Sequence, residues 1–544
     1  MKRLIGASLA LALLATACTK VSQTGEPGGR VNSFTQPHVL RYADAGDVNT
    51  LNPHLGQFTP LLYLSRMTMA WLIRWDQNNN PIPELATEVP TQANGGVSKD
   101  GLTITYHLRH GVKWSDGAPF TADDVVFSTK VVLNPANNEV SREGWDQITK
   151  IDEPDKYTVV YHLKKPYSPF IEVFFSTAGA NPCILPKHLL AKYPNINNVP
   201  YNSLPVGIGP FKYERWDRSQ QVVLVANPLY WRGRPKLDKV IYKIIPDRNT
   251  LLSQFQAKEL DLWPLVPGNY LDRMKQLEPY AVMQQPGYFW NHLDFNLTNP
   301  ALQDPAVRHA MLYALDRQEI IDKIGHGLGT VSDSPTPVDA PYTVKLPTTP
   351  FDIGKANALL DKAGWVKGGD GVRAKNGTRL VFRFAVPSGL QDQDNMIELM
   401  RANYQKIGVQ LEVRHYPSAL FFAPLQEGGI VYDAKKWDLI LFAWENDGIG
   451  DFSQIYSCNG FPPAGQNDPR WCNKKAQAAM DALYGHYNQA DRNKDVTAFV
   501  HAFAEDLPVI VTSQRVDVYA YNKDLKNFKP NAITAFDNMM DVDI

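Results

Sequence analysis

Three aspartates stand close together in the segment LRHGVKWSDGAPFTADDVVFS, Leu108 to Ser128. Carboxylates that face one another can act as general acid and base or hold a ligand. Asp123 and Asp124, however, are adjacent on a predicted helix, where neighbouring side chains do not face one another. Thr121 and Asp124 have the spacing of a capping box, and Asp116 with the glycine after it is a turn signal. The pattern therefore predicts a turn and a helix start.

The sequence lacks complete versions of several other motifs with known catalytic chemistry. Gly354-Lys355 lacks the upstream Gly and the following Ser or Thr of a phosphate-binding loop. The sequence contains no HExxH and no GxSxG motif, and its twelve histidines are scattered. We therefore expect a protein that is not an enzyme and has no cofactor and no metal site of its own. An envelope hydrolase that uses cleft carboxylates stays open as a distant alternative.

The composition excludes some classes of partner. The chain has 544 residues with a formal net charge of -1, and 44% of its residues are hydrophobic and 20% charged. This is the composition of a soluble globular protein that is long enough for two or three domains. Because no long run of like charge occurs, we expect no nucleic-acid partner. Partners must be recognised at local sites.

The first residues, MKRLIGASLALALLATACTK, have the arrangement of a secretory signal peptide. Their apolar run, Leu4 to Ala15, is shorter than the roughly 20 residues that a membrane span requires. Cys18 follows Ala-Thr-Ala, an order that resembles a bacterial lipobox. We predict a signal peptide over residues 1–17, lipidation of Cys18 and a flexible tether over residues 18–37. The protein would then be a membrane-anchored lipoprotein in the periplasm or on the surface of a bacterium. A plain signal peptide is the alternative.

The other three cysteines fit an exported protein. Cys458 and Cys472 lie in a loop rich in Pro, Gly and Asn, which has little apolar content to hold it together. A disulfide between them would stabilise the fold by about 2 to 4 kcal/mol in an oxidising compartment. We predict this disulfide, because no further Cys or His stands nearby to complete a zinc site. Cys183 is interpreted as a buried apolar residue.

Hydrophobic periodicity predicts an α/β protein in which strands and amphipathic helices alternate without an internal repeat. TITYHLR, residues 103–109, has the period of two that is typical of a half-buried strand. PAVRHAMLYALDRQEIIDKIG, residues 305–325, has helical spacing, begins after Asp304 and ends at a glycine. WDLILFAW (437–444) and LPVIVTSQRVDVYAYN (507–522) are strongly apolar strand candidates. Mixed sheets flanked by helices follow from this order.

The segment Leu108 to Ser128 also closely resembles the signature of the bacterial extracellular solute-binding proteins of family 5, the oligopeptide, dipeptide and nickel-binding group. The likeness extends through GIGPFKYERW, NPLYWRGRPKLDKVIYKIIPDRNTLLSQFQAKELDLW, DPAVRHAMLYALDRQEII and DIGKANALLDKAGW. These blocks span nearly the whole mature chain. Their order and spacing make coincidence implausible.

This resemblance implies a two-lobed periplasmic-binding-protein type II fold with an extra inserted domain, of the large cluster C type. The first lobe would be discontinuous and comprise residues 38–79, 203–284 and 507–544. Residues 80–202 would form the inserted domain, and residues 285–506 the second lobe. Two crossings between the lobes would form a hinge, and the lobes would close over a ligand that contacts both.

The resemblance further implies that the protein is the binding subunit of an ABC importer. It would deliver its ligand to the permease subunits, while separate subunits hydrolyse ATP, and it would act as a monomer. The ligand would be a peptide, with oligopeptides favoured over strict dipeptides. The same fold binding a non-peptide solute, such as a metal complex, an opine or an oligosaccharide, is the alternative.

Candidate ligand residues follow from the match of LILFAWENDGIGD to the peptide binders of the family. Asp447 matches the Asp that pairs with the α-amino group of a peptide, and a carboxylate in a closed cleft binds an ammonium strongly. Trp444 would provide a flat apolar wall, and Asp451 would assist or substitute for Asp447. The family's dipeptide binders carry an Arg early in the helix before IGVQLEV, but here none occurs until Arg401.

Weaker candidates lie in two other segments. They are Asn52 and His54 in DVNTLNPHL, and Tyr288, Trp290 and Asn291 in GYFWNHLDFN. The first segment resembles a family loop that approaches the cleft. A structural turn and a buried aromatic strand are the competing interpretations of these two segments.

Overall fold

The computed structural model describes residues 32–56, 59–139, 142, 144–178, 182–423, 425, 428–532 and 535–544. The predicted signal peptide and Cys18 lie outside these ranges, as does most of the predicted tether. Within them, no helix is both long enough and apolar enough to span a bilayer.

The strands, in chain order, are β1 (Val39–Asp44), β2 (Ile73–Trp75), β3 (Pro81–Pro83), β4 (Thr103–His107), β5 (Ile148–Asp155), β6 (Thr158–Leu163), β7 (Phe211–Asp217), β8 (Gln221–Ala226), β9 (Lys239–Ile244), β10 (Leu262–Trp263), β11 (Tyr280–Phe295), β12 (Val366–Lys367), β13 (Arg373–Lys375), β14 (Thr378–Arg379), β15 (Val381–Pro387), β16 (Gln410–Tyr416), β17 (Leu439–Glu445) and β18 (Val509–Asn522).

The α-helices, in chain order, are α1 (Thr59–Thr68), α2 (Ala122–Leu133), α3 (Phe170–Val173), α4 (Lys187–Leu190), α5 (Arg248–Gln256), α6 (Gly268–Lys275), α7 (Pro300–Gln303), α8 (Pro305–Tyr313), α9 (Arg317–Lys323), α10 (Ile353–Lys362), α11 (Gln391–Lys406), α12 (Ser418–Phe421), α13 (Ser453–Tyr456), α14 (Lys474–Leu483) and α15 (Gln489–Asp506). Short 3-10 turns occupy Pro53–Leu55, Trp145–Gln147 and Pro200–Ser203.

One ten-stranded mixed sheet, in the order β16-β15-β17-β11-β18-β10-β1-β9-β8-β7, organises the molecule. We call β1 with β7 to β10 the first half-sheet, and β15 to β17 the second half-sheet. Parallel pairs form the centre of each: β1 with β9 and β10 in the first, and β15 with β16 and β17 in the second. The predicted α/β class is confirmed, because helices cover these buried parallel strands.

The long antiparallel strands β11 and β18 connect the two half-sheets. They pair from Tyr280↔Asn522 at one end to Asp294↔Val509 at the other. Their register shifts twice, between Pro286 and Trp290 and between Asn291 and His292. The same two strands therefore run through both halves of the molecule and carry an irregularity near their middle.

The strands β1, β15 and β17 at the centre of the half-sheets are largely buried on both faces. In the first half-sheet, Tyr42 stacks on Tyr242 with ring centroids 4.8 Å apart on one face, and Phe255 and Trp263 pack on the other. In the second half-sheet, Phe382 and Phe384 belong to the core that α8, α10 and α11 cover. This two-sided burial explains why the central strands are continuous apolar runs in the sequence.

A separate three-stranded sheet, β4-β6-β5, lies within the predicted inserted domain. Helix α2 begins with the predicted capping box, in which the Thr121 side chain accepts from the N3 backbone and Asp124 accepts from the Thr121 N–H at 3.1 Å. This region also contacts the end of α14 and the loop between α14 and α15. Ser168 Oγ donates to Leu483 O at 2.7 Å, and Tyr487 Oη donates to Gly101 O at 3.0 Å.

Candidate ligand-binding cleft

A cleft of 680 Å³ lies where the carboxyl ends of the parallel strands from both half-sheets meet. Pro387 ends β15 and Ala443 is near the end of β17, while Val266 and Pro267 follow β10 of the first half-sheet. Asn291 and Ser513 line it from the connecting strands. In open α/β sheets, ligands bind outside the carboxyl ends of the strands. We call this space the interlobe cleft.

A smaller space of 150 Å³ adjoins the interlobe cleft and shares Leu265 and Arg515 with it. Its charged lining residues are Arg66, Glu445, Arg515 and Asp517. We call this space the charged compartment. None of the four was predicted from the sequence, although Glu445 lies between the predicted residues Trp444 and Asp447.

Trp444 is half-buried near the end of β17. Its ring centroid lies 5.2 Å from that of Phe442 and 6.3 Å from that of His292. In the ladder between β11 and β17, Trp444 pairs with Trp290, which is fully buried. The two indoles therefore occupy paired positions of adjacent strands, one inside the core and one at its margin.

Asp447 stands in the loop that follows β17 and organises that loop. Its carboxylate accepts hydrogen bonds from the backbone N–H groups of Ile449 at 3.1 Å, Gly450 at 2.5 Å and Asp451 at 2.9 Å. The hydroxyl of Tyr342 donates to the Asp447 carbonyl oxygen. Asp447 is thus a turn-forming residue, and its carboxylate is held in one place.

Two further carboxylates act on Asp447. Burial raises the pKa of Asp447 to about 7, the charge of Asp451 adds to this rise, and the backbone N–H donors oppose it. Burial, followed by the charge of Asp447, raises the pKa of Glu172 well above its usual value. Arg492 acts on this group electrostatically, but its Nη atoms donate to Tyr487 O and Gln489 Oε1. The three acids therefore form a cluster whose full ionisation is unfavourable without a neighbouring cation.

Glu172 could not be assigned to this cluster from the sequence. It lies on the short helix α3 inside the predicted inserted domain, where nothing about its neighbours marks it. The structure brings it to the loop after β17, where it accepts a hydrogen bond from the Gly448 N–H. This contact depends on the packing of two segments that are far apart along the chain.

The remaining predicted residues of β11 differ in their access to the cleft. Asn291 lines the interlobe cleft and donates from Nδ2 to Ser513 Oγ at 3.1 Å. Tyr288 and Trp290 are 1% and 0% exposed, so a ligand would not contact them without rearrangement. Burial raises the pKa of Tyr288, and the charges of Glu172 and Asp447 add to the rise. Tyr288 therefore packs behind the acidic cluster.

The polar side chains of Asn52 and His54 form hydrogen bonds inside the protein. Asn52 is fully buried, caps a 3-10 turn by accepting from the His54 N–H at 3.2 Å, and donates to Asn202 Oδ1 at 2.9 Å. The buried His54 ring contacts Glu139 Oε1 through Nδ1 and Cys183 O through Nε2, each at 2.8 Å. Both ring nitrogens of His54 are thus hydrogen-bonded within the protein.

The cysteines of the described chain occupy two kinds of environment. Cys458 and Cys472 form a disulfide that closes the loop after α13. Cys183 is fully buried with a free thiol. In the described ranges no group of three or more His, Cys, Asp or Glu side chains is arranged to hold a metal ion.

The family model for the middle region of the bacterial extracellular solute-binding proteins, family 5, matches residues 80–465. The chain belongs to this family. It is 30% identical over 411 residues to Protein XP55 of Streptomyces lividans, and the alignment covers 76% of this chain and 72% of that relative. It is 26% identical over 454 residues to the oligopeptide-binding protein AppA of Bacillus subtilis, covering 82% and 80% of the two chains.

Solved structures of this family have the same fold. AppA of Bacillus subtilis in complex with a nonapeptide superposes with a TM-score of 0.74 at 23% identity, over 93% of this chain and 99% of that one. NikZ of Campylobacter jejuni in complex with Ni(L-His) gives a TM-score of 0.75 at 26% identity, over 94% and 100% of the two chains. The family-5 chain described here is therefore a two-lobed α/β solute-binding protein.

Proposed function

We propose that this family-5 protein is the lipid-anchored binding subunit of an ABC importer, and that it captures peptides with a free amino end and delivers them to the permease. The observation that carries the proposal is the acidic cluster of Glu172, Asp447 and Asp451 next to Trp444 at the carboxyl end of β17. A ligand ammonium would stabilise the ionised form of these acids in a partly desolvated site.

The residues at the start of α11 support a preference for longer ligands. The cleft-lining residues there are Leu390, Asp392, Gln393 and Met396, and Gln393 already donates to Leu441 O at 2.9 Å. None of these is a cation that could clamp a nearby carboxylate. The cleft-lining arginines are Arg248 and Arg515, on the first half-sheet's side and on β18. This arrangement favours oligopeptides, held also by backbone hydrogen bonds, over strict dipeptides.

Capture would couple the two lobes. A ligand that contacts the loop after β17 and the loop after β10 at once would stabilise the closed arrangement, because it binds the closed state more tightly than the open one. The lobe boundaries proposed from the sequence, 38–79, 203–284 and 507–544 against 285–506, place these two loops in different lobes. We propose that the protein performs this cycle as a monomer and without chemical change to its ligand.

The same cleft would suit a non-peptide solute as a second candidate. The similarity to NikZ in complex with Ni(L-His) favours a chelated metal complex, in which most metal ligands come from the solute. The described residues offer no cluster that would hold a bare ion. This candidate predicts a co-purified metal complex in place of a peptide.

Native mass spectrometry of freshly purified protein, followed by denaturation and identification of released molecules, tests these alternatives. We expect peptides with free amino termini. Isothermal titration of released peptides and their N-acetylated forms should then show tighter binding of the free-amine form, and recovered peptides should be intact. A released metal complex would overturn the peptide-binding assignment. Equal affinity of both peptide forms would overturn the requirement for a free amino end, and hydrolysed peptides would contradict binding without chemical change.

The lipid anchor has its own test. The membrane fraction of the native host should contain a chain whose first residue is Cys18 and whose mass includes acyl groups. Intact mass measurement of a Cys18→Ala control should show loss of these groups and release of the protein from membranes. An unmodified mature chain that starts at Thr19 or later would contradict the anchor.

A further inference from the structure

The charged compartment has the dimensions of a pocket for one side chain. Its 150 Å³ are bounded by α1, the connecting strands β11 and β18, the end of β17 and the segment after β18. Tyr63, Phe289 and Tyr519 supply aromatic walls. It opens beside the much larger interlobe cleft, with which it shares Leu265 and Arg515. A side chain of a ligand in the cleft could therefore enter it while the ligand backbone stays outside.

Both arginines of the compartment already have acidic partners. Arg515 Nε lies 2.9 Å from Asp517 Oδ1, and its guanidinium lies 5.2 Å from the centroid of Phe289. Arg66 Nε lies 3.7 Å from Asp537 Oδ1, and its Nη2 donates to Thr177 O at 2.6 Å. The positive charges of the compartment are thus compensated within the protein.

Glu445 differs from these residues. In the part of the chain that the structure describes, its carboxylate forms no hydrogen bond and no ion pair, although the residue is exposed and lines the charged compartment. The surrounding protein partly excludes water from this carboxyl, and this desolvation raises the pKa of Glu445 to about 7. The charge of Asp517 adds to the rise, whereas the charges of Arg515 and Arg66 oppose it. A carboxylate in such surroundings is stabilised when a cation binds to it.

The position of Glu445 along the chain relates the compartment to the acidic cluster. Glu445 ends β17 and is two residues before Asp447. Two residues of extended chain span about 7 Å. If the ligand ammonium binds at Asp447, as the proposed function requires, Glu445 is within reach of a side chain among the first residues of the peptide.

We propose that Glu445 is a specificity residue that selects peptides with a cationic side chain, lysine or arginine, in the charged compartment. This inference rests on the proposed peptide-binding function. The charges of the compartment support it, because among the described residues that line it Glu445 is the acid that forms no ion pair, whereas Asp517 pairs with Arg515. The aromatic walls would contact the apolar part of a long basic side chain while its charged end reaches the carboxylate.

Titration calorimetry with defined pentapeptides tests the proposal. Each peptide has a free amino terminus and carries a single lysine at position one, two or three, with alanine elsewhere. A matched series carries norleucine or glutamate at the same positions. For at least one position we expect wild-type protein to bind the lysine peptide about 10- to 100-fold more tightly than the norleucine peptide, the range for one hydrogen bond to a charged group.

Two variants and one control complete the test. Glu445→Gln should bind the norleucine peptide as wild type does and lose the lysine preference. Glu445→Lys should prefer the glutamate peptide. Glu412→Gln, an exposed acid on β16, should behave as wild type. A lysine preference that persists in Glu445→Gln, or no preference in wild type, overturns the Glu445 assignment alone. If no pentapeptide binds to wild type, the peptide-binding function falls together with this inference.

Discussion

Gly448 lies against Glu172 so closely that a Cβ atom on Gly448 would come within 2.2 Å of Glu172 Oε1 and 3.1 Å of Trp75 Cη2. The two residues belong to the loop after β17 and to helix α3. Their contact fixes the loop that contains Asp447 against the region predicted as the inserted domain. A side chain at position 448 would require the Glu172 carboxyl or the Trp75 ring to shift.

Gly448→Ala should therefore push the loop and α3 apart. We expect the free energy of unfolding to fall by about 1 to 3 kcal/mol, as is usual for overpacking, and the affinity for the natural ligand to fall as well. Urea unfolding and titration calorimetry measure these effects. Gly369→Ala is the control, because a Cβ there meets no atom within 4 Å. Identical stability and affinity of the two variants would contradict the prediction.

Asp447→Asn should discriminate between free and blocked amino ends. The amide keeps an acceptor for the loop N–H groups but removes the negative charge. We expect the affinity for free-amine peptides to fall about 10- to 100-fold, the range for a hydrogen bond to a charged group, with a much smaller change for N-acetylated peptides. Calorimetry with both forms of one peptide provides the measurement. An equal loss for both forms would show that Asp447 only shapes the loop.

The stability of the ligand-free protein should depend on the ionisation of Asp447. Its pKa of about 7 in the folded chain is above the value of about 3.9 for an unfolded Asp. Between these values the folded chain binds more protons than the unfolded chain, so this group's contribution is full below about pH 4 and is lost as pH rises through 7. Urea unfolding across about pH 4 to 8 should show a shallower decline for Asp447→Asn, by up to about 1.4 kcal/mol per pH unit. Parallel curves would contradict this assignment.

The disulfide should contribute measurably to stability. Cys458 and Cys472 are separated by 14 positions, and closing a loop of this size stabilises by about 3 kcal/mol. We expect the double variant Cys458→Ser, Cys472→Ser to lose about this much free energy of unfolding. A reducing agent should destabilise wild type to the same level and leave the double variant unchanged. Stability of wild type that does not respond to complete reduction would disprove the prediction.

Local patterns predicted those parts of the fold whose causes are local. The capping box of Thr121 and Asp124 forms as predicted because its hydrogen bonds join residues three positions apart. The predicted helix over residues 305–325 divides into α8 and α9, because Asp316 caps a new helix by accepting from the Glu319 N–H at 2.9 Å. Asp316, a polar residue within the apolar pattern of the predicted helix, therefore marks the start of a second helix.

The site depended on contacts between distant segments, which a single sequence does not contain. The resemblance to the family pointed to Asp447 and Trp444, whose neighbourhood is local to β17. It could not place Glu172 beside Asp447, because α3 reaches that loop only through tertiary packing. It also could not show that Asn52 is hydrogen-bonded to Asn202. The same holds for the hydrogen bonds of His54 to Glu139 and to the Cys183 carbonyl.

The paired strands β11 and β18 restrict how the molecule can move. Because both strands run through each half and remain hydrogen-bonded to one another on both sides of their register shifts, the halves cannot slide past each other without breaking a ladder. Bending and twisting of this two-stranded ribbon remain available. The opening motion proposed for this protein would thus have few degrees of freedom, so that every capture event would present the same face of the closed molecule to whatever receives it.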